Sequence, residues 1–120
     1  MRVALALLVG FVVAATTASA QEQLADLKPL VGKWRGYVTS PLGSAPVDLI
    51  VQEDGSYSTI LYVQPSRTIT GTLEVADGKA KFKNSEGNAG TFTLYVDGKG
   101  KRVLKGTRND GITVEYEPLK

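Results

Sequence analysis

Cysteine and histidine are both missing from this 120-residue chain. The first absence removes disulfides, thiolate nucleophiles, Cys–zinc sites and any acceptor for diacyl attachment. The second removes Ser–His–Asp chemistry and imidazole ligands. With the commonest general base gone, and no Ser or Lys set in a nucleophile–base motif, no catalytic residue is assigned and a non-enzymatic role is expected. The carboxylates do not fill the gap. Asp54, Asp77, Glu86, Asp97 and Asp110 are each followed by glycine and lie nine to 23 positions apart. That is turn chemistry, too sparse for a calcium loop. No metal and no cofactor are expected.

Long apolar runs are also scarce, and the one present lies at the start. Arg2 precedes an almost unbroken apolar stretch, Val3–Ala15, which leads to Ala18-Ser19-Ala20. One positive charge, about a dozen apolar residues and a small-x-small exit make a secretory signal peptide, cleaved after Ala20. The run is short for a membrane-spanning helix, which needs ~20 residues. Residues 1–20 are therefore read as a leader and the destination as the periplasm or the exterior. The remaining 100 residues carry 13 basic and 12 acidic side chains, a net charge of +1. That is one domain, long enough for its own core, and its balance points to no nucleic-acid partner.

Beyond the leader the chain has two textures. In residues 21–32, Leu24, Leu27 and Leu30/Val31 recur at spacings of three to four, and Pro29 limits this to a short helix or 3₁₀ turn. Residues 33–120 form the predicted barrel domain. Eight strands are predicted there, at 33–39, 46–52, 56–63, 67–75, 79–84, 88–96, 101–108 and 112–117, divided by Asp-Gly and similar turn pairs. No connection is long enough for a crossover helix, so neighbouring strands should run antiparallel. Trp34, Leu49, Leu61, Phe82, Phe92, Leu104 and Tyr116 share one phase. Lys33, Arg35, Asp48, Thr68 and Lys79 share the other, with Ile50, Ile60 and Tyr62 as apolar exceptions. Strands that are all one-sided favour closure, which removes exposed edges. The expected fold is all-β: an eight-stranded antiparallel up-and-down β-barrel with a short N-terminal helical turn, a two-sheet β-sandwich being the alternative. The strands are shorter than the ~9–11 residues of an outer-membrane barrel, so the chain is not expected to be membrane-embedded.

Gly32-Lys33-Trp34 places the single tryptophan at the opening of the first predicted strand, just after the helix-like stretch. Gly-x-Trp ahead of an eight-strand meander resembles the calycin group, which includes lipocalins and avidin-like barrels. The resemblance covers the order of elements over residues 24–117 and one motif. It implies a barrel whose closed end is plugged by Trp34 and stacked upon by an arginine from a late strand. Arg102 is the candidate arginine, and Tyr116 is grouped with them as barrel-closing. The residues alone also allow Trp34 to be ordinary core and Arg102 to be solvated beside Lys101. With one tryptophan, the biotin of the avidin-like branch is not expected.

Strand alternation sorts the turns by end. If the first strand leaves the closed end, 40–45, 64–66, 85–87 and 109–111 gather at a mouth, and 53–55, 76–78 and 97–100 at the base. The longest connection, Thr39–Pro46, would serve as a lid. Val38, Leu61, Ile69, Phe82, Phe92 and Ile112 would line a cavity rimmed by Arg67 and Arg108, suited to a small hydrophobic or anionic amphipathic ligand. Against this, eight-stranded barrels can be filled by their own side chains. Gly36, Gly71 and Gly106 would leave inner space or mark bends. Lys79, Lys81 and Lys83 form an outward row without an aromatic on the same surface, a guard against edge pairing rather than a base-stacking face. The expected function is an exported, non-catalytic binding protein holding that ligand in a lipocalin-like barrel. The alternative is a periplasmic interaction or inhibitor module that meets a protein partner through its loops.

Overall fold

The computed structural model describes residues 20–41, 43–63 and 65–119. Apart from Ala20, the leader assigned from the sequence lies outside the described residues. The strands are β1 (Ala20–Glu22), β2 (Gly32–Ser40), β3 (Gly43–Val51), β4 (Ser56–Leu61), β5 (Arg67–Ala76), β6 (Lys79–Asn84), β7 (Ala89–Val96), β8 (Arg102–Arg108) and β9 (Thr113–Pro118). From β2 to β9 each pairs antiparallel with the next, and β9 pairs back onto β2. The ring is therefore a closed eight-stranded barrel, and the sandwich is excluded.

Turn chemistry places the strand ends. Asp77 and Gly78 both take positive φ, +54° and +78°, the two-residue hairpin geometry whose twist matches the flanking strands. Asp54 Oδ1 accepts the Ser56 N–H at 2.9 Å, and Asp97 Oδ1 accepts the N–H groups of Lys101 and Lys99 at 2.9 and 2.8 Å. The Ser56 hydroxyl bond holds the Asp54 carboxyl below its ordinary range, and the Lys101 and Lys99 amides do the same for Asp97. These carboxylates organise their own turns.

Two segments fold differently from the sequence reading. Residues 21–32 contain a 3₁₀ turn, Lys28–Leu30, within the short helix or 3₁₀ turn expected, but also a strand that was not expected. β6 last meets β7 at Ala80↔Phe92, which would leave the far end of β7 without a partner. β1 takes that edge, pairing Gln21↔Tyr95 and Glu22↔Leu94, and the Leu24 N–H continues the contact to the Gly78 carbonyl at 2.9 Å. The edge hydrogen bonds outweigh the weak helical periodicity, and Pro29 offers no N–H for a second turn.

Thr39–Pro46, expected as a lid, is a hairpin. β2 and β3 stay in register out to Ser40↔Gly43, so the connection shrinks to residues 41–42. The arm also outruns the barrel wall, since β2 last meets β9 at Gly36↔Tyr116 and β3 last meets β4 at Val47↔Leu61. Pro46 is tolerated in it because its carbonyl accepts the Tyr62 N–H at 3.1 Å. Its ring nitrogen therefore faces the same side, beyond the end of β4, where no donor is needed.

The interior is organised by rings set on glycines. Tyr57 lies directly across from Gly71, Phe82 from Gly90, Phe92 from Gly106 and Tyr116 from Gly36. A Cβ at Gly106 would stand 2.7 Å from Phe92 Cε1, and one at Gly71 would stand 2.6 Å from Tyr57 Cε2. The missing side chain is the space the neighbouring ring occupies. The four rings meet: Phe92 is 4.9 Å from Phe82, 6.0 Å from Tyr57 and 6.1 Å from Tyr116, centroid to centroid. Most of these contacts are edge-to-face, the arrangement the ring quadrupole favours.

Toward the base the packing is solid. Leu30, Trp34, Leu49 and Leu104 are fully buried there. Trp34 Nε1 donates to the Leu30 carbonyl at 2.9 Å. The Arg102 guanidinium lies 5.1 Å from the centroid of the Trp34 ring and donates to the Pro29 carbonyl at 2.8 Å. One arginine thus ties the 3₁₀ turn to the barrel and covers the indole, a cation–π contact worth ~0.5–2 kcal/mol.

Gly106→Ala is expected to destabilise the protein by about 1–3 kcal/mol, the usual cost of forcing a methyl into packed space. The penalty should shrink in a Phe92→Ala background, because the clash partner is gone. Chemical denaturation of the four-member cycle checks this; an additive cycle would contradict the ring-on-glycine account.

Candidate functional site: a cavity at the barrel mouth

Above the four rings the interior is hollow. A cavity of about 130 Å³ is walled by Val38 and Val47 from β2 and β3, Thr59 and Leu61 from β4, Ile69 from β5, Asn84 at the end of β6, and Val114 from β9. Tyr57, Phe82, Phe92 and Tyr116 line it as well, with Gly106 between them, while Arg108 and Ile112 complete the lining. The four fully buried base residues are not among the lining, so the barrel is filled in one half and open in the other. Ile112 is 44 % exposed and marks the opening.

Seven of the eight residues singled out as ligand contacts therefore share one cavity: Val38, Leu61, Ile69, Phe82, Phe92, Arg108 and Ile112. Arg67 does not line it. Its guanidinium is exposed on the rim and donates to Glu86. Tyr116, grouped with Trp34 and Arg102 at the closed end, belongs to the cavity wall, because its register partner is Gly36 and Trp34 instead meets Pro118. Besides Val47, Tyr57 and Gly106, three lining residues were not among the proposed contacts: Thr59, Asn84 and Val114. All three share the inward phase of their strands, Asn84 following Phe82 by two residues on β6.

The arginine rim expected to meet an acidic group is internally balanced. Arg108 donates through Nε to Asp110 Oδ1 at 3.1 Å and through its second nitrogen to Oδ2. That bond raises the Arg108 pKa and lowers that of Asp110. Arg67 donates to Glu86 through one nitrogen. Both guanidinium groups are thus committed to carboxylates on neighbouring turns.

Deeper in, the polar groups are neutral. Burial pushes the Tyr57 phenol up to about 12, opposed in part by a hydrogen bond from the Asn84 side chain. Burial raises the Tyr116 phenol further, reinforced by the Tyr57 hydroxyl nearby. Thr59 Oγ1 donates to the Ile69 carbonyl at 3.3 Å. At physiological pH both phenols are protonated, so the cavity has an apolar wall with a few uncharged hydroxyls.

On the outside of the same wall lies an ion pair that strand phase alone did not reveal. Asp48 and Arg35 are register partners on β3 and β2, joined Nε–Oδ1 at 2.6 Å and Nη2–Oδ2 at 2.9 Å. The Tyr62 hydroxyl donates to Asp48 Oδ2 at 2.9 Å, and the Arg35 guanidinium lies 5.9 Å from the Tyr62 ring. Asp48 is only 8 % exposed although it faces outward. Its β4 partner is Ile60. Ile60 and Tyr62, two of the apolar exceptions of the outward phase, thus stand beside this pair.

Compared with protein-family models, with curated proteins and with solved structures, the chain has no significant match. The class is accordingly set by the geometry. This is an all-β protein with a closed, eight-stranded antiparallel barrel, compatible with a small lipocalin-like barrel, hollow at one end. Among the described residues no helix is long and apolar enough to cross a membrane.

The hydrogen bond from Arg35, and then that from Tyr62, hold the Asp48 carboxyl below its ordinary value of 3.8. A depressed folded-state pKa contributes stability at pH above the unfolded value, and the contribution is lost as pH falls through the folded one. Thermal melts of the wild type and Asp48→Asn should therefore differ most at neutral pH, with the gap starting to close only below about pH 4 and vanishing below the folded-state pKa. A gap that stays constant on acidification would show that the pair's charge does not contribute.

Proposed function

We propose that this protein is an exported, non-catalytic binding protein that holds one small hydrophobic molecule, or the apolar end of an amphipathic one, in the mouth of a lipocalin-like barrel. The observation that carries this reading is the division of the interior, packed below the four rings and hollow above them, with apolar walls and an exposed aliphatic rim at Ile112. Volume sets the guest. Apolar cavities on the order of 150 Å³ take up benzene and stay dry when empty, whereas drug-sized ligands need ~300 Å³ or more. A guest larger than a single ring must leave part of itself outside the mouth. The balanced rim favours a neutral guest over an anionic one, because a carboxylate would have to displace Asp110 or Glu86 from its arginine.

Benzene titration followed by methyl NMR is expected to shift the Leu61, Ile69, Ile112 and Val114 resonances together and leave those of Leu30 and Leu49 unmoved. Leu61→Phe, which adds a ring to the cavity, should abolish the shifts while unfolding stays cooperative. Shifts scattered over the surface, or none at saturating benzene, would overturn the reading.

Export rests on the sequence features of residues 1–20. If these act as a leader, the intact mass of protein recovered from the envelope or medium corresponds to a chain beginning at Gln21. A mass including residues 1–20 would contradict the assignment.

A second reading is supported by the β2–β3 arm. It projects past the barrel wall with Tyr37 60 % exposed and the Tyr37–Ser40 edge of β2 unpaired by β9. That edge carries neither proline nor lysine, the residues that usually blunt exposed strands. A protein partner meeting the molecule through this arm would use a surface distinct from the cavity.

A further inference from the structure

The cavity contains hydroxyls that its apolar wall does not require. Tyr116 is only 5 % exposed, and among the described residues nothing hydrogen-bonds its phenol: its ring meets Phe92, the Tyr57 phenol lies nearby, and its backbone pairs within the sheet. No side-chain oxygen or nitrogen among the described residues is both sealed from space and unpartnered. The Tyr116 oxygen therefore reaches open volume, and with the residue this buried, that volume is the cavity it lines.

Tyr57, on β4 and near enough to influence the Tyr116 phenol, lines the same cavity with its own proton uncommitted. Asn84 Oδ1 is consumed by the N–H groups of Glu86 and Asn88 at 2.9 and 3.0 Å. Only the Asn84 NH₂ is left to meet Tyr57, so the Tyr57 oxygen accepts and its O–H remains free to donate. Two phenolic O–H donors thus face one small space that holds no uncommitted acceptor from the rim, since Asp110 and Glu86 are engaged by Arg108 and Arg67.

We propose that the cavity selects a neutral, ring-sized carbonyl compound, its oxygen hydrogen-bonded by the Tyr116 phenol with Tyr57 as the second donor. This rests on the binding function proposed above and specifies the chemistry of its guest. Burial keeps both phenols protonated across the physiological range, so the donors are permanent. An anion gains no free cation here, a pure hydrocarbon leaves both hydroxyls unanswered, and a ketone satisfies one or both. A hydrogen bond answered in an apolar site discriminates against an analogue that lacks the oxygen.

The test compares cyclohexanone with methylcyclohexane, close in size, on wild type, Tyr116→Phe and Tyr57→Phe, reading dissociation constants from the cavity methyl shifts. Replacing an unpartnered phenol by phenyl removes no contact of the native core, so Tyr116→Phe should melt at or above the wild-type temperature. Cyclohexanone affinity is expected to fall roughly three- to tenfold in Tyr116→Phe, with a smaller fall in Tyr57→Phe, while methylcyclohexane binds all three proteins equally or the variants slightly more tightly. Equal ratios of the two compounds in all three proteins would overturn the carbonyl assignment and leave the binding function standing. Failure of both compounds to move any cavity methyl of the wild type would overturn the two together.

Discussion

Four aromatic rings, each laid across a glycine of the next strand, set the internal plan of this barrel. A ring that pointed inward opposite an ordinary side chain would need a wider cylinder. Opposite Gly36, Gly71, Gly90 and Gly106 it can lie nearly flat against the neighbouring backbone. The rings then reach one another, Phe92 touching the other three. That contact divides the interior into a packed base and a hollow mouth. Because packed interiors transmit strain and do not deform smoothly, the height of this layer fixes how much space remains above it.

The two ends follow from that division. The base is closed by a short chain of contacts in which the Trp34 indole, the Leu30 and Pro29 carbonyls and the Arg102 guanidinium satisfy one another. A single 3₁₀ turn is then enough to cap the cylinder. The mouth has no such plug. Its charged residues bind each other along the rim, and the β2–β3 arm extends past the ends of its pairings with β9 and β4. An apolar space open on one side, with neutral donors on its floor, is suited to holding a small molecule.

Much of this was legible before folding was considered. The Asp-Gly pairs marked hairpins, and the β6 boundaries, 79–84, are those the alternation implies. The inward phase brought seven of the eight proposed contact residues into one cavity, because period-two alternation is enforced locally by the pleat. Arg67 shows where that logic stops. It sits at the right end of its strand, but Glu86 on another turn draws it outward along the rim. Tyr116 shows the same limit in height: its place is set by its pairing with Gly36, which exists only once β9 closes on β2. The Thr39–Pro46 segment misled because glycine, serine and proline suggest a loop, while cross-strand pairing with β2 carried the ladder nearly to its tip. Asp48 lies in the outward phase yet is itself nearly inaccessible, because Ile60, Tyr62 and Arg35 surround it.

Sequence by itself determined the eight barrel strands, their order and the face each presents, since these depend on single residues and near neighbours. Only the tertiary structure decided the register across the β2–β9 seam, the seating of each ring on its glycine, the pairing of the rim charges and the capture of β1 by β7. Each of those is a contact between segments distant in the chain, with a geometry that the closure of the cylinder imposes. The hollow is the sum of these contacts: glycines that look like empty space in a strand are occupied by rings, and the vacancy lies above them.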